Sequence, residues 1–247
     1  MAVESPTPKA NGLKTVWDTI VAPKAAFESI QASPGWGTPF LIAVVLMAIG
    51  YFLQHAAQVH ASIGTMQHMI ATNSFFSGLP ESKKQEMLDN AAHPDVKSQV
   101  IGLLFLPVTL LFAALFNSLF LLLANAIGSG TGKFRQFFAA SMDIAVPSFG
   151  LGSLILGLIT ILRGPDSFNS TIDLLTALPG LGMLAGGSTG FMAAFLGYIS
   201  IFSLWGCILN ALFLRSLRVN AAVAWAIPVL VLLLGAAFGA KLNTLFG

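Results

Sequence analysis

Charged residues are scarce in this chain. They make up 9% of its 247 residues, whereas a typical soluble domain carries about 25%. Hydrophobic residues make up 55%, and the mean hydropathy is +0.81. This composition excludes an ordinary soluble domain and predicts an integral membrane protein.

Cysteine and tyrosine are also rare. The single cysteine, Cys207, excludes an internal disulfide and a cysteine-based metal site, and its position in an apolar run predicts a small packing residue. Two tyrosines stand against twenty phenylalanines, as expected for a surface that faces lipid. The net charge of +2 is too small to indicate a nucleic-acid partner.

Motifs for catalysis, cofactors and metals are missing as well. Residues 128–133 (GSGTGK) lack the spacing of a phosphate-binding loop, because Phe134 follows Lys133 and no suitable strand precedes them. The spacing of the histidines matches no zinc pattern; they are His55, His60, His68 and His93. We therefore expect no enzyme activity, no cofactor and no metal site.

Five apolar runs are long enough to cross the hydrocarbon core of a bilayer, which takes about 20 residues. They lie at residues 40–59, 100–127, 137–162, 191–214 and 221–240. The sequence predicts an all-α polytopic membrane helix bundle over residues 38–241, with five transmembrane helices. The longest polar segment, residues 61–99, predicts an extramembrane cap with a helix that opens at Pro80 and Glu81 and runs through Asp89.

The segment before the first span predicts two further regions. Residues 1–12 are polar and carry two prolines, which predicts a disordered tail. Residues 13–37 are too short and too charged to span a bilayer, and predict a cytoplasmic interfacial amphipathic segment with a tryptophan anchor. Pro23 suits the first turn of a second short helix within this segment. A helix packed on other loops is the alternative. Four residues recur with the spacing of one helical face: Leu13, Val16, Trp17 and Ile20.

Small and polar residues inside the spans indicate how the helices pack. Asn117 and Asn125 lie about two turns apart on one face of the second span, where amides usually hydrogen-bond neighbouring helices. Contact with a substrate is the alternative. Pro147 removes a backbone donor inside the third span and predicts a kink. Close helix packing is predicted at Gly150, Gly152, Gly157, Gly235 and Gly239.

Asp143, in the third span, is expected to be the deepest charge in the chain. An ionisable residue within a span is a functional candidate, here for a small-solute or ion transporter. The alternative is an ion pair near the interface, because Asp143 follows Arg135 by about two helical turns. The partners considered for that pair are Arg135, Arg215 and Arg218. With such a pair, Asp143→Asn is expected to lower expression or assembly without abolishing any flux.

Two short connectors between spans carry cations and no acid. They hold Lys133 with Arg135, and Arg215 with Arg218. Basic residues in short loops mark the cytoplasmic side, so these connectors and the N-terminus are expected in the cytoplasm. Five spans then place the C-terminus on the opposite side.

Three stretches of the chain resemble the Yip1 domain family, multi-pass membrane proteins with five spans and a cytoplasmic N-terminus. They are residues 23–30 (PKAAFESI), residues 132–138 (GKFRQFF) running to Pro147, and residues 217–220 (LRVN) before the alanine-rich start of the last span. The family's long acidic N-terminal region is absent, as in its bacterial branch. Ser141-Met142 stands where family members often have a Gly-Tyr pair.

The resemblance and the small-residue helix faces imply a non-enzymatic protein of the bacterial inner (plasma) membrane. It would act through helix packing and partner binding, in membrane organisation or a trafficking-like role. Its expected partners are the lipid bilayer and other membrane proteins or a second copy of itself, with no nucleic acid. The alternative function is a small-solute or ion transporter or channel that uses Asp143.

Overall fold

The structure is a computed structural model that describes residues 11–186 and 190–246. The described residues form helices joined by turns, and their β-structure is limited to one isolated antiparallel bridge between Gly180 and Ser200. The predicted all-α class is confirmed. Of the predicted disordered tail, residues 1–10 lie outside the described residues, while Asn11 caps the first helix and Gly12 begins it.

Two short helices precede the bundle, α1 (Gly12–Val21) and α2 (Pro23–Ala32). The side chain of Asn11 accepts a hydrogen bond from the N–H of Leu13 at 3.2 Å, as N-cap residues do. Pro23 occupies the first turn of α2, where its missing N–H costs nothing. The second short helix therefore begins at Pro23, where the sequence predicts it, and the two helices are joined at Ala22.

Helix α1 exposes its apolar side and buries a side that carries two threonines. The hydroxyl of buried Thr19 donates to the carbonyl of Thr15 at 2.9 Å, so its polar group is satisfied within the helix. Val16, predicted on the apolar face, is instead buried in the core. Outward-facing apolar residues are typical of a helix that lies in a membrane interface. The exposed stripe, one residue per turn, consists of Leu13, Trp17 and Val21.

The first long helix, α3, extends from Gly37 to Thr72. It is longer than the predicted first span, and the polar residues 61–72, which were assigned to the cap, continue the same helix. The cap then contains α4 (Ser74–Ser77) and α5 (Glu81–Ala92). Helix α6 (Val96–Ile127) begins four residues before the predicted second span, with Asp95 as its N-cap.

The third predicted span lies within one helical stretch, Phe134–Arg163, whose α-helical hydrogen bonding changes around Pro147. It comprises α7 (Phe134–Ala145), a π-helical turn (Val146–Leu151) and α8 (Gly152–Arg163). Proline has no N–H to donate, and the carbonyl of Asp143 is instead bonded by the N–H of Val146. A wider π-helical turn accommodates the change in hydrogen bonding.

The fourth predicted span, residues 191–214, is broken. After α9 (Thr171–Thr176), helix α10 (Phe191–Gly197) ends before residues 198–200, and α11 (Ile201–Ser216) starts anew. The break follows from backbone pairing, since Leu181 donates to the carbonyl of Ile199 at 2.9 Å and Ile201 donates to that of Pro179 at 2.8 Å. These long-range bonds draw the chain out of its helix.

The last helix, α12, runs from Ala221 to Phe246. Within the described residues, four helical stretches are long and apolar enough to cross a membrane. They are Gly37–Thr72, Val96–Ile127, Phe134–Arg163 and Ala221–Thr244. Helix α11 is too short to meet that criterion, because its 16 residues span about 24 Å.

Helices α3 and α8 approach closely through small residues. The α-carbon of Gly50 faces Ser153, and Gly157 faces Leu53 one turn further along. The amide of Gln54 donates to the carbonyl of Ser153 at 2.9 Å and to its hydroxyl at 3.2 Å. Contacts of small residues with interhelical hydrogen bonds are the usual means by which membrane helices associate.

Candidate functional site

A cluster of hydrogen-bonded polar side chains joins three helices inside the bundle. Asn117 of α6 donates to the hydroxyl of Ser141 of α7 at 2.8 Å and to the amide oxygen of Asn210 of α11 at 3.0 Å. Asn210 donates back to the oxygen of Asn117 at 3.3 Å, and the hydroxyl of Ser118 lies 3.1 Å from that of Ser141. Ser118 and Ser141 are buried.

This cluster links helices. Both polar atoms of the Asn117 amide are bonded to side chains of other helices, so the amide is not directed at a cavity. In lipid, such a bond between helices is worth about 0.6 to 2 kcal/mol. Of the two interpretations of Asn117 made from the sequence, the structure shows the helix-linking one.

Asn125, two turns further along α6, shapes the first basic connector. Its amide oxygen accepts from the N–H of Gly132 at 2.9 Å, and its amide nitrogen donates to the carbonyl of Gly132 at 3.4 Å. A β-carbon at Gly130 would collide with the Asn125 side chain, so a larger residue there would displace the amide that holds the connector. Asn125 therefore acts on the connector, and contributes to the fold at the end of α6.

Asp143 is deeply buried, with an exposed fraction of 1%. Among the residues that the structure describes, neither of its carboxyl oxygens has a hydrogen-bond partner. The residues one turn away on its own helix are all buried and apolar; they are Ala139, Ala140, Val146 and Pro147. Among the described residues, Asp143 is the one charged residue that is buried.

The prediction that Asp143 forms an ion pair with an arginine was wrong. No ion pair in the described part of the chain involves Asp143. Arg215 directs its guanidinium instead to the carbonyl of Val219, at 2.7 Å. Arg135 and Asp143 lie on the same helix, α7, eight residues apart. This spacing places their α-carbons about 12 Å apart along the helix axis.

An unpartnered carboxyl in this position can hold a proton or, when ionised, attract a cation. Ionisation without a partner is costly at such depth, so any chemistry here requires a proton, an ion or water. Within the described residues, one other buried side-chain oxygen lacks a partner, the hydroxyl of Ser148. Ser148 lies against Gly206 of α11.

The two basic connectors meet at one end of the bundle. The N–H of Thr131 donates to the carbonyl of Leu217 at 3.1 Å, and the N–H of Asn220 donates to the carbonyl of Gly128 at 3.0 Å. The connectors are therefore bonded to each other at both ends. This pairing brings four cations to the same end, namely Lys133, Arg135, Arg215 and Arg218.

Helix α2 is tied to the same end. The amide of Gln31 donates to the hydroxyl of Ser216 at 2.8 Å, and the amide of Gln136 donates to the carbonyl of Gln31 at 3.0 Å. Phe27 is buried and packs edge-on against Phe213, with ring centroids 5.2 Å apart. We call this end, formed by α1, α2 and the two connectors, the basic end.

A cavity of about 560 Å³ lies where α3, the cap and the end of α8 meet. His55, His60, His93 and Asp166 contribute to its lining. The Nδ1 atom of His60 lies 3.0 Å from the carbonyl oxygen of Phe168, and its Nε2 atom lies 3.7 Å from Asp166. Among the described residues, no three such side chains are arranged to hold a metal ion. From the sequence, the polar end of the first span, which includes His55 and His60, has two interpretations: a helix that leaves the membrane, which is favoured, and a cavity lining. The sequence gives no signal that His93 and Asp166 join them.

Comparisons with known proteins give one relative over the full length. No family model matches the chain, so the resemblance to the Yip1 domain family is not confirmed. No solved structure matches it. The chain is similar to "Membrane protein YknW" of Bacillus subtilis (strain 168), with 23% identity over 250 residues, 99% of this chain and 98% of that protein. Together with the four apolar helices, this likeness identifies the chain as a polytopic integral membrane protein.

Proposed function

We propose that the protein is a non-enzymatic, Yip1-like membrane protein that acts through helix packing and partner binding within the bilayer. The role is membrane organisation or a trafficking-like function. The observation that carries this proposal is the cluster of Asn117, Ser141 and Asn210, in which polar groups inside the bundle are used to link helices. A bundle fixed in this way suits a scaffold that presents its outer faces to other membrane proteins.

The proposal includes five membrane crossings, with α11 as the fourth. The basic end holds the C-terminus of α11 through Leu217. The other end of α11 lies by the bridge of Ser200 with Gly180, and Gly239 of α12 packs against Tyr198 nearby. Helix α11 therefore runs between the two ends of the bundle, and a local thinning of the bilayer or flanking residues would accommodate its short length.

Reporter fusions test this topology. With the basic end in the cytoplasm of a bacterial inner membrane, a reporter after Gly132 is expected inside, one after Asn169 outside, and one after Arg218 inside. The cations of the connectors provide the physical reason. Reporters after Asn169 and Arg218 on the same side would show that α11 does not cross.

Photo-crosslinking in native membranes tests partner binding. Helix α6 is the least enclosed of the candidate spans, and Phe112 on its outer face is 64% exposed. With a photoreactive phenylalanine at position 112, we expect a discrete protein adduct, either with a second copy or with another membrane protein. Phe238 of α12, 68% exposed, is the matched control for random collision. Absence of a protein adduct from position 112, or adducts of equal yield from positions 112 and 238, would contradict the proposal.

A second candidate function is transport of a small solute or an ion. The observation that favours it is the carboxyl group of Asp143, which is buried in the bundle and whose oxygens have no partner in residues 11–186 and 190–246. Such a group is the usual location of a proton or ion step in a membrane protein. Its test is combined with the stability of Asp143 variants in the Discussion.

A further inference from the structure

The basic end combines exposed apolar residues with exposed cations. The stripe of α1 includes Leu13 and Trp17, which are 65% and 63% exposed. The start of α1 lies against the start of the first long helix, since a β-carbon at Gly12 would lie 2.6 Å from the hydroxyl of Thr38. The stripe is therefore held at the level where α3 begins, which is the headgroup layer for a helix that enters a bilayer there.

Most of the charge at this end is not neutralised by the protein. The described residues of α1, α2 and the connectors contain six cations and two acids. One acid, Asp18, is paired with Lys14 at 2.5 Å. Five of the cations make no ion pair within the described part of the chain; they are Lys24, Lys133, Arg135, Arg215 and Arg218. In the cap, by contrast, Lys83 and Lys84 are each paired with a glutamate.

These cations are carried on a fixed framework. The backbone bonds of Thr131 with Leu217 and of Asn220 with Gly128 hold the connectors together, and Gln31 ties α2 to them. Because the backbone positions are already set, binding a partner would order few additional groups, which lowers its entropic cost.

We propose that the basic end binds the headgroups of anionic phospholipids in the bilayer that surrounds the protein. The cations of the connectors would contact the lipid phosphates, while the stripe of α1 lies among the upper acyl chains. The cations complement the negative charge of a phosphate, and the stripe beside the first turn of α3 complements acyl chains. Together they favour an anionic lipid as the ligand. A soluble phosphate compound would gain nothing from an apolar stripe. This inference is independent of the proposed function.

Quenching of Trp17 by brominated lipids tests the proposal. The protein is first reduced to one tryptophan by replacing Trp36, Trp205 and Trp225 with phenylalanine. It is then reconstituted into phosphatidylcholine vesicles that contain equal fractions of brominated phosphatidylglycerol or brominated phosphatidylcholine. We expect stronger quenching by the anionic lipid, and weaker selectivity at about 1 M salt, where the Debye length is about 3 Å. This salt comparison needs no charge substitution.

A charge-neutralised variant and a matched control locate the site. Replacing Lys133, Arg135 and Arg218 with glutamine is expected to reduce the selectivity for phosphatidylglycerol roughly fivefold or more, since each basic residue near an anionic surface adds to the attraction. Arg215 is kept because it binds a backbone carbonyl. The control changes Lys83 and Lys84 of the cap and Lys97 in the first turn of α6 to glutamine. It removes the same number of charges away from the basic end and should keep the selectivity. Equal quenching by both lipids in the unsubstituted single-tryptophan protein, or equal losses in the two variants, would overturn the proposal.

Discussion

Replacing Gly50 with valine is expected to prevent correct assembly of the bundle. A β-carbon at this position would lie 2.5 Å from the carbonyl carbon and oxygen of Ser153, which is closer than any real contact of this kind. Helices α3 and α8 would have to separate, and the hydrogen bonds from Gln54 to Ser153 would be lost. Overpacking that displaces backbone costs about 3 kcal/mol, at the upper end of the usual range.

The single cysteine provides the measurement, because Cys207 is buried and its thiol becomes reactive when the bundle opens. Detergent-solubilised Gly50→Val is expected to react with a fluorogenic maleimide at a lower temperature than the unsubstituted protein. Gly235→Val is the matched control, because no atom of the described residues lies within 4 Å of a β-carbon placed there. Equal thermal behaviour of the two variants would contradict the close contact of α3 with α8.

The glycines show what a sequence can and cannot predict about packing. Gly157 was predicted to allow close approach, and it does face Leu53 of α3. Its partner position, Gly50, was not singled out, because spacing along one helix does not identify the helix opposite. Gly235 and Gly239 were both assigned to a packing face, whereas only Gly239 is packed, against Tyr198.

The helices themselves were predictable where length and apolarity determine them. Three of the five predicted spans lie within single long helices, and the third is a rod interrupted at Pro147 as expected. The fourth was wrong as a continuous helix, because the bonds of Leu181 and Ile201 join segments about 20 residues apart. Such long-range pairing leaves no mark on local hydropathy.

The candidate site was predictable in its residues and less so in its geometry. The depth of Asp143 and the helix-linking nature of Asn117 follow from polar residues inside apolar runs. The bond of Asn117 to Asn210 required knowing that α6 and α11 are neighbours. The suggested ion pair of Asp143 with Arg135 was wrong, because residues about two turns apart on one rigid helix are held apart along its axis.

The structure reverses the expected effect of changing Asp143. An Asp143→Asn variant was expected to be poorly expressed because an ion pair would be lost, but no pair exists in the described residues. A buried polar group without a partner costs about 1 to 3 kcal/mol. Asp143→Ala removes this cost and leaves only a small cavity. We therefore expect Asp143→Ala to be more stable than the unsubstituted protein by about 1 kcal/mol after the cavity is offset. The stability of Asp143→Asn should fall between those of Asp143→Ala and the unsubstituted protein, because the amide of the asparagine would also have no partner.

Ser141→Ala, two residues earlier on the same helix, is the matched control with the opposite sign. The hydroxyl of Ser141 accepts a hydrogen bond from Asn117 at 2.8 Å, so its removal should destabilise the protein by about 1 kcal/mol. Both variants are compared by the temperature at which Cys207 becomes reactive. If Asp143→Ala were destabilised as much as Ser141→Ala, the carboxyl would have a stabilising partner in the membrane. The expected gain in stability from Asp143→Ala would then be wrong.

The same variants separate the two candidate functions when the protein is reconstituted into liposomes. A partner-binding protein is expected to move no solute or ion in this assay, with or without Asp143. A transporter that uses the buried carboxyl would show flux that stops in the stable Asp143→Ala and Asp143→Asn variants. Variants of Asp143 that lose flux and gain stability would show that the unpaired carboxyl is kept for function, because functional sites are commonly retained at a cost in stability. That result would replace the scaffold proposal with the transport one.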